Sequence, residues 1–211
     1  MRQWNLLRSY PQPEERVIPN RTIEDRILAS YRGRDFFDSR RECGYGGMIY
    51  DGRWEQTAKD IITDYNPNSI IQLHCEKGFL LQDIHSNFKG PNLLGIDPSR
   101  YCQKHSHPLV PIVPRIPEDA YFDLCLALGV VYTLNFPEAM ACIRRIQSLA
   151  ETAFITLAAY ETEEDLRLFR KWTLLGTTIL KKDEWIEVLK HCGYTGDYWF
   201  VTAKTLKLRE A

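Results

Sequence analysis

No run of apolar residues in this chain approaches the ~20 that a membrane-spanning helix requires. Its start, MRQWNLLRSYPQPEE, has no signal-peptide core. Neither sign of charge dominates: 27 lysines and arginines face 28 aspartates and glutamates, for a net charge of −1. That balance gives no electrostatic footprint for nucleic acid. The six cysteines (43, 75, 102, 125, 142, 192) contain no C-x-x-C pair, and several sit in apolar runs, as buried reduced thiols do. Cys102, His105 and His107 give a C-x2-H-x-H spacing, but no fourth ligand accompanies it, so no metal is expected. The G-x-G-x-x-G fingerprint and a Tyr-x-x-x-Lys pair are both missing, which ranks a nicotinamide-dependent oxidoreductase last among the readings of this chain. What is left is an ordinary globular composition, 44% hydrophobic and 26% charged, in 211 residues, enough for one full core. The expectation is a cytoplasmic protein that binds a small molecule, with neither nucleic acid nor membrane as partner and a homodimer left open.

The informative stretch is residues 69–99, SIIQLHCEKGFLLQDIHSNFKGPNLLGIDPS. An apolar run (Ile70, Ile71, Leu73) meets a tight segment with Gly78, and a helical stretch with Phe79, Leu80, Leu81 and Ile84 follows. After the Gly90-Pro91-Asn92 turn, a second apolar run stops at Asp97-Pro98. Strand, glycine-bearing turn, helix, strand, acid is the pattern of a nucleotide-binding βαβ unit. Amides at the helix start point into the crevice above the sheet, where Asp97 is placed to take the two hydroxyls of a ribose.

On either side the chain alternates elements. Residues 1–20, with three prolines, read as an arm that drapes over the domain or stays mobile. Ile23, Ile27, Leu28 and Tyr31 share one face of a short helix. Residues 32–51, rich in glycine, arginine and aromatics, read as a loop, and Phe36, Phe37, Tyr45 and Tyr50 suggest a lid packed over a pocket. Arg32, Arg34, Arg40 and Arg41 are placed to meet a phosphate or sugar nucleotide, although Asp35, Asp38 and Glu42 favour a solvated mixed-charge loop. Asp51 is placed to cap a helix from about Arg53 to Tyr65. Prolines 108, 111, 114 and 117 exclude a central strand and fit an edge strand; a PxxP docking site is the alternative. A continuous apolar run over 122–131 reads as a strand buried on both faces, and 152–159 as the next. Helices follow from Pro137 to near Ala150, from Thr162 through Trp172, and from an Asp183 cap to Gly193. Residues 197–203 and 205–208 read as two last strands, which makes a doubly wound, mostly parallel α/β sheet with an antiparallel edge and a helical N-terminal extension.

HCEKGFLL followed by GIDPS resembles motif I and the second-strand acid of class I S-adenosylmethionine-dependent methyltransferases. GYGGMIYDGRW (Gly44 to Trp54) and GTTILKKDEWIEVLKHCGYTGDYWFVTAK extend the likeness, in a bacterial subgroup often associated with surface-polysaccharide or small-molecule biosynthesis. It implies a Rossmann-like, seven-stranded sheet, with residues 1–66 as arm, lid loop and helix packed on a methyltransferase domain of 67–211. It also implies S-adenosylmethionine as cofactor, held by His74, Cys75, Glu76, Lys77, Gly78, Asp97, Pro98, Ser99, Leu128 and Gly129. Substrate contacts are implied for Tyr45, Tyr50, Arg53, Tyr132, Thr177 and Thr178, and catalytic roles for His74, Tyr45 and Tyr50. The family's acid and three spaced glycines align with Gln72, His74, Glu76 and Gly78, so one glycine of three is kept.

Methyl transfer is a displacement whose activation the cofactor already carries, so the protein mainly aligns the reacting atoms. His74 is either a base for an acceptor hydroxyl or a packing residue. Glu76 puts negative charge near the methionine carboxylate, or holds the amino group while Lys77 pairs with the carboxylate. The expected function is methyl transfer to a small polar acceptor, a sugar or biosynthetic intermediate; the alternative is a methyltransferase-like protein that only binds or regulates.

Overall fold

A computed structural model of the chain describes residues 1–11 and 17–210. In chain order the strands are β1 (Arg2–Gln3), β2 (Ser69–Leu73), β3 (Asn92–Ile96), β4 (Ile112–Val113), β5 (Phe122–Ala127), β6 (Ala150–Tyr160), β7 (Leu180–Lys181) and β8 (Asp197–Val201). The helices are α1 (Ile23–Ser30), α2 (Arg34–Asp38), α3 (Glu55–Tyr65), α4 (Phe79–Asn87), α5 (Arg100–Lys104), α6 (Phe136–Leu149), α7 (Glu163–Trp172) and α8 (Lys182–His191).

The sheet runs β1-β8-β6-β5-β2-β3-β4, with β7 paired to β6. From β2 the order goes outward one way through β3 to β4 and the other way through β5, β6 and β8. The reversal between β2 and β5 is the switch point, and the crevice outside the carboxyl ends of those strands is where such sheets bind ligands. Helices cover both faces. Ile143 and Ile146 of α6 and Trp185 and Leu189 of α8 pack with Ile71, Cys125 and Ile155 on one face. Ala58 and Ile61 of α3 and Leu80, Leu81 and Ile84 of α4 pack with Ile70, Leu124 and Phe154 on the other. Burial on both faces explains the near-continuous apolar runs of β5 and β6.

The proline-spaced segment lies where expected, at the edge: β4 contributes two residues, and the Pro111 and Val113 carbonyls accept from the Gly95 and Asp97 amides. Capping boxes start α6 (Asn135/Glu138) and α7 (Thr162/Asp165).

Several expectations are corrected. All pairings among the described strands are parallel, so there is no antiparallel edge. α8 is a crossover helix and delivers β8 parallel to β6, as crossovers do. Among the described residues no strand forms over 205–208, because Thr202 and Thr205 exchange backbone-to-hydroxyl bonds and fold residues 203–207 into turns. β5 stops at Ala127, where Gly129 turns the chain at φ +69°. Asp51 does not cap α3; it binds the Arg53 amide and guanidinium instead. α8 begins at Lys182 with Asp183 inside its first turn. Residues 32–51 are not wholly loop: they contain α2 and a 3₁₀ turn at Arg41–Cys43. α1 exists but is rotated from its expected face. Asp25, bound by Thr22, Arg40 and Cys43, points inward with Ala29, which leaves Ile23 and Tyr31 73% and 74% exposed.

The arm is part of the sheet. β1 pairs with β8, and the Arg2 guanidinium forks onto Asp197, which also accepts from Tyr65. Trp4 and Arg8 both donate to Asp64 of α3, and Leu6 is fully buried against Ala58 and Phe154. Pro13 and its neighbours at 12–16 lie outside the described residues. Leu6→Ala should therefore cost about 2–4 kcal/mol of stability in a denaturant titration; a change below about 0.5 kcal/mol would mean that the arm is not docked.

Candidate active site at the tips of β2, β3 and β5

Between β2 and α4 the chain turns three times through the left-handed region, at His74 (φ +48°), Glu76 (φ +57°) and Gly78 (φ +74°). These are the three positions that the sequence resemblance aligns with motif I glycines. Gly78 takes this backbone at no side-chain cost, and a Cβ there would lie 3.0 Å from Ile112 Cδ1, which would have to give way. At 74 and 76 a side chain is carried in a conformation that costs an L-residue ~1–2 kcal/mol. Asp97 holds the loop in place: its Oδ2 accepts the Glu76 amide and its Oδ1 the Ser99 amide, each at 2.9 Å. The Ser99 hydroxyl accepts the Cys102 amide at the start of α5 and donates to the Arg32 carbonyl. Asp97 is consequently 0% exposed, and in this closed arrangement it presents no face to a ribose.

The lid closes over the loop. The Lys77 ammonium is buried between Asp38 and the Met48 carbonyl, and Asp38 also accepts from Tyr101 and the Met48 amide. Lys77 thus anchors the lid, so its charge is not turned to a cofactor carboxylate. Phe37 is sealed between the Tyr45 and Tyr101 rings, both stacked on it. Gly44 permits the turn, because a Cβ there would collide with the Phe36 carbonyl. The Tyr45 hydroxyl donates to the Glu76 carboxylate. Tyr50 instead donates to Asp83 of α4, 2.5 Å away, a bond that pushes its pKa up to about 12.

Two spaces flank Glu76. One, of about 130 Å³, is lined by Arg21, Arg32, Phe36, Arg41, Tyr45, His74, Glu76, Leu128, Gly129, Tyr132 and the 172–175 segment. The other, of about 450 Å³, is lined by Tyr10, Arg53, Trp54, Gln72, Cys75, Lys77 and Phe79. Arg41, Tyr45 and Glu76 line both, so the Tyr45–Glu76 contact is the wall between them. Burial lifts the Glu76 pKa to about 7, against the opposing pull of Tyr45 and Arg32. Burial, and then the Arg32 charge, lower that of His74.

Of the residues expected at the site, His74, Glu76, Leu128, Gly129, Tyr45 and Tyr132 gather at the smaller space, and Arg53, Cys75 and Lys77 at the larger. Tyr50, Gly78, Asp97, Pro98, Ser99, Thr177 and Thr178 line neither. Thr177 and Thr178 donate their amides to the Tyr132 carbonyl and so position that ring from behind. Arg21, Trp172 and Thr173 were not foreseen; they lie outside every motif, and only folding brings them to the crevice. Among the described residues no three His, Cys, Asp or Glu side chains group as a metal-ligand set, and no helix is long and apolar enough to cross a membrane.

No protein-family model matches the chain, and no curated protein matches it. Solved structures do. The mitomycin 7-O-methyltransferase MmcR superposes on 66% of this chain at 15% identity with a TM-score of 0.52. The plantazolicin methyltransferase BpumL, in complex with a monoazolic desmethylPZN analog and SAH, superposes on 80% at 15% identity and 0.52. The N-terminal domain of EvdMO1 with SAH bound superposes on 81% at 12% identity and 0.50. The chain spans about half of MmcR (46%), 77% of the BpumL chain and 86% of the EvdMO1 domain. At these identities the likeness is one of fold: the chain has the Rossmann-like sheet of class I methyltransferases.

Two outcomes test the loop. Glu76→Gly should be more stable than Glu76→Ala by about 1 kcal/mol, because only glycine relieves the left-handed backbone; equal stabilities would contradict the strain. The raised carboxyl pKa also has a sign. Between pH ~4.5 and ~7 the folded protein keeps a proton that the unfolded chain has lost, so stability falls as pH rises through that window. Glu76→Gln should flatten this fall by roughly 1–2 kcal/mol, a few degrees in Tm; a melting-temperature profile parallel to that of the parent would contradict it.

Proposed function

We propose that this protein is an S-adenosylmethionine-dependent methyltransferase acting on a small polar acceptor. The observation that carries the reading is the retention of three left-handed residues at 74, 76 and 78, two of them against side-chain cost. Such strain persists where the surroundings over-determine it, and it clusters at ligand sites. The loop lies at the switch-point crevice, where the backbone of this fold meets a ligand, with its Cys75, Glu76 and Gly78 amides taken up by Ile96, Asp97 and Cys75.

The residues fit an adenosyl compound on one condition. The smaller space falls well under the ~300 Å³ typical of such sites, so a ligand lying along the whole 74–78 loop has to use both. With the Tyr45–Glu76 contact parted, the two spaces join along the 74–78 loop. His74, Cys75, Glu76, Leu128 and Gly129 then border the ligand, and Asp97 reaches a ribose only if the Glu76 and Ser99 amides that enclose it move away. The bound cofactor supplies an activated methyl carbon. Tyr45 and Tyr132 present aromatic faces suited to a positive sulfur, and neutral His74 is free to take an acceptor proton. Gln72, in place of the family acid, contributes a carbonyl oxygen that is buried without a partner.

A second reading is favoured by two observations, the enclosure of Asp97 and the Glu76 wall: a methyltransferase-like protein that binds or regulates without catalysis. Titration calorimetry separates the two. Heat with S-adenosylmethionine and S-adenosylhomocysteine, and none with NADH, is expected. No heat with either adenosyl compound would overturn the enzyme reading. Glu76→Gly removes the wall and should bind S-adenosylhomocysteine more tightly than the parent; weaker binding would instead assign Glu76 as a ligand to the amino group.

A further inference from the structure

Three cations around the site are matched to carboxylates: Arg40 to Asp25, Lys77 to Asp38 and Arg53 to Asp51. Arg21 and Arg32 line the smaller space and form no ion pair among the described residues. Arg21 donates only to backbone carbonyls, those of Arg41, Glu42, Lys171 and Trp172. Arg32 Nε is buried with no hydrogen-bond partner among the described residues. Its guanidinium lies 5.5 Å over the Phe36 ring, and its backbone is held left-handed (φ +46°), with its carbonyl pinned by Ser99. Arg41 lines the same wall and lowers the Arg21 pKa further after burial has lowered it.

An unpaired buried donor of a charged group is costly, and such groups are retained where something completes them. The internal candidate is Glu76. Its carboxylate, however, takes the Tyr45 hydroxyl at the wall, and its raised pKa leaves it only partly charged at neutral pH. We infer that the space between Arg21, Arg32 and Trp172 receives an anionic group, a carboxylate or a phosphate, from the ligand. Arg32 offers its planar fork and Arg21 a second positive charge, while Phe36, Tyr132 and Trp172 enclose the carbon adjoining the anion. Arg forks recognise such oxyanions by paired, charge-assisted bonds. That this anion belongs to the methyl acceptor rests on the methyltransferase reading; the anion site itself does not.

The test needs no cofactor. The full chain is titrated calorimetrically with inorganic phosphate and, separately, with malonate, in chloride buffer of constant ionic strength. Saturable binding of at least one is expected, and whichever binds more tightly identifies the group. Arg32→Gln should weaken it about ten-fold or more, Arg32→Lys should recover only part, and Arg34→Gln, exposed on α2 and away from the space, should change nothing. Circular dichroism confirms that each variant is folded. No saturable binding of either anion, or the same affinity in parent and Arg32→Gln, would overturn the inference. An anion response without S-adenosylhomocysteine binding would leave the anion site standing and remove only its assignment to a methyl acceptor.

Discussion

One buried carboxylate ties the site together. Asp97, at the tip of β3, accepts the amides of Glu76 and Ser99, and so joins the loop after β2 to the start of α5. Charge-assisted bonds of this kind are worth about 1.5–3 kcal/mol each, comparable to the left-handed strain at His74 and Glu76 that they offset. Ser99, oriented by the same clamp, caps α5 and donates to the Arg32 carbonyl, which fixes the end of α1 and the hinge of the lid. Loop, helix and lid are therefore held from one residue that touches no solvent.

The lid closes by the same economy of charge. Asp38 gathers Lys77, Tyr101 and the Met48 amide, so a cation from the loop, a phenol from α5 and the lid's own backbone meet at one carboxylate. Phe37 fills the space above them between two aromatic rings. The outer wall is satisfied without help from a ligand. The inner wall is different: the Arg32 Nε lacks an acceptor, and Glu76 is held against a tyrosine with a carboxyl that burial makes reluctant to ionise.

The βαβ unit, the buried strands, the edge position of the proline-spaced segment and the aromatic lid were all legible in the sequence, because each leaves a pattern in local spacing. The misreadings share a cause. Ile23, Ile27 and Tyr31 form a helical face by spacing, yet long-range bonds from Arg40 and Cys43 to Asp25 turn the opposite face inward. The enclosure of Asp97 by two amides has no local signal either. The left-handed backbone at Glu76 is invisible to propensity, since glutamate does not favour it, and at His74 the preference is too weak to read from one residue. Arg21 and Trp172 are 151 positions apart and meet only in the folded chain.

The central claim is that the 74–78 loop keeps a glycine-loop conformation with one glycine of three and remains a platform for an adenosyl group. Crystals grown with saturating S-adenosylhomocysteine address it most directly. The account predicts adenosyl density along residues 74–78, with φ positive at all three left-handed positions and Tyr45 parted from Glu76. Clear density for an intact Tyr45–Glu76 contact with no ligand beside it, or residues 74 and 76 relaxed to negative φ, would contradict it.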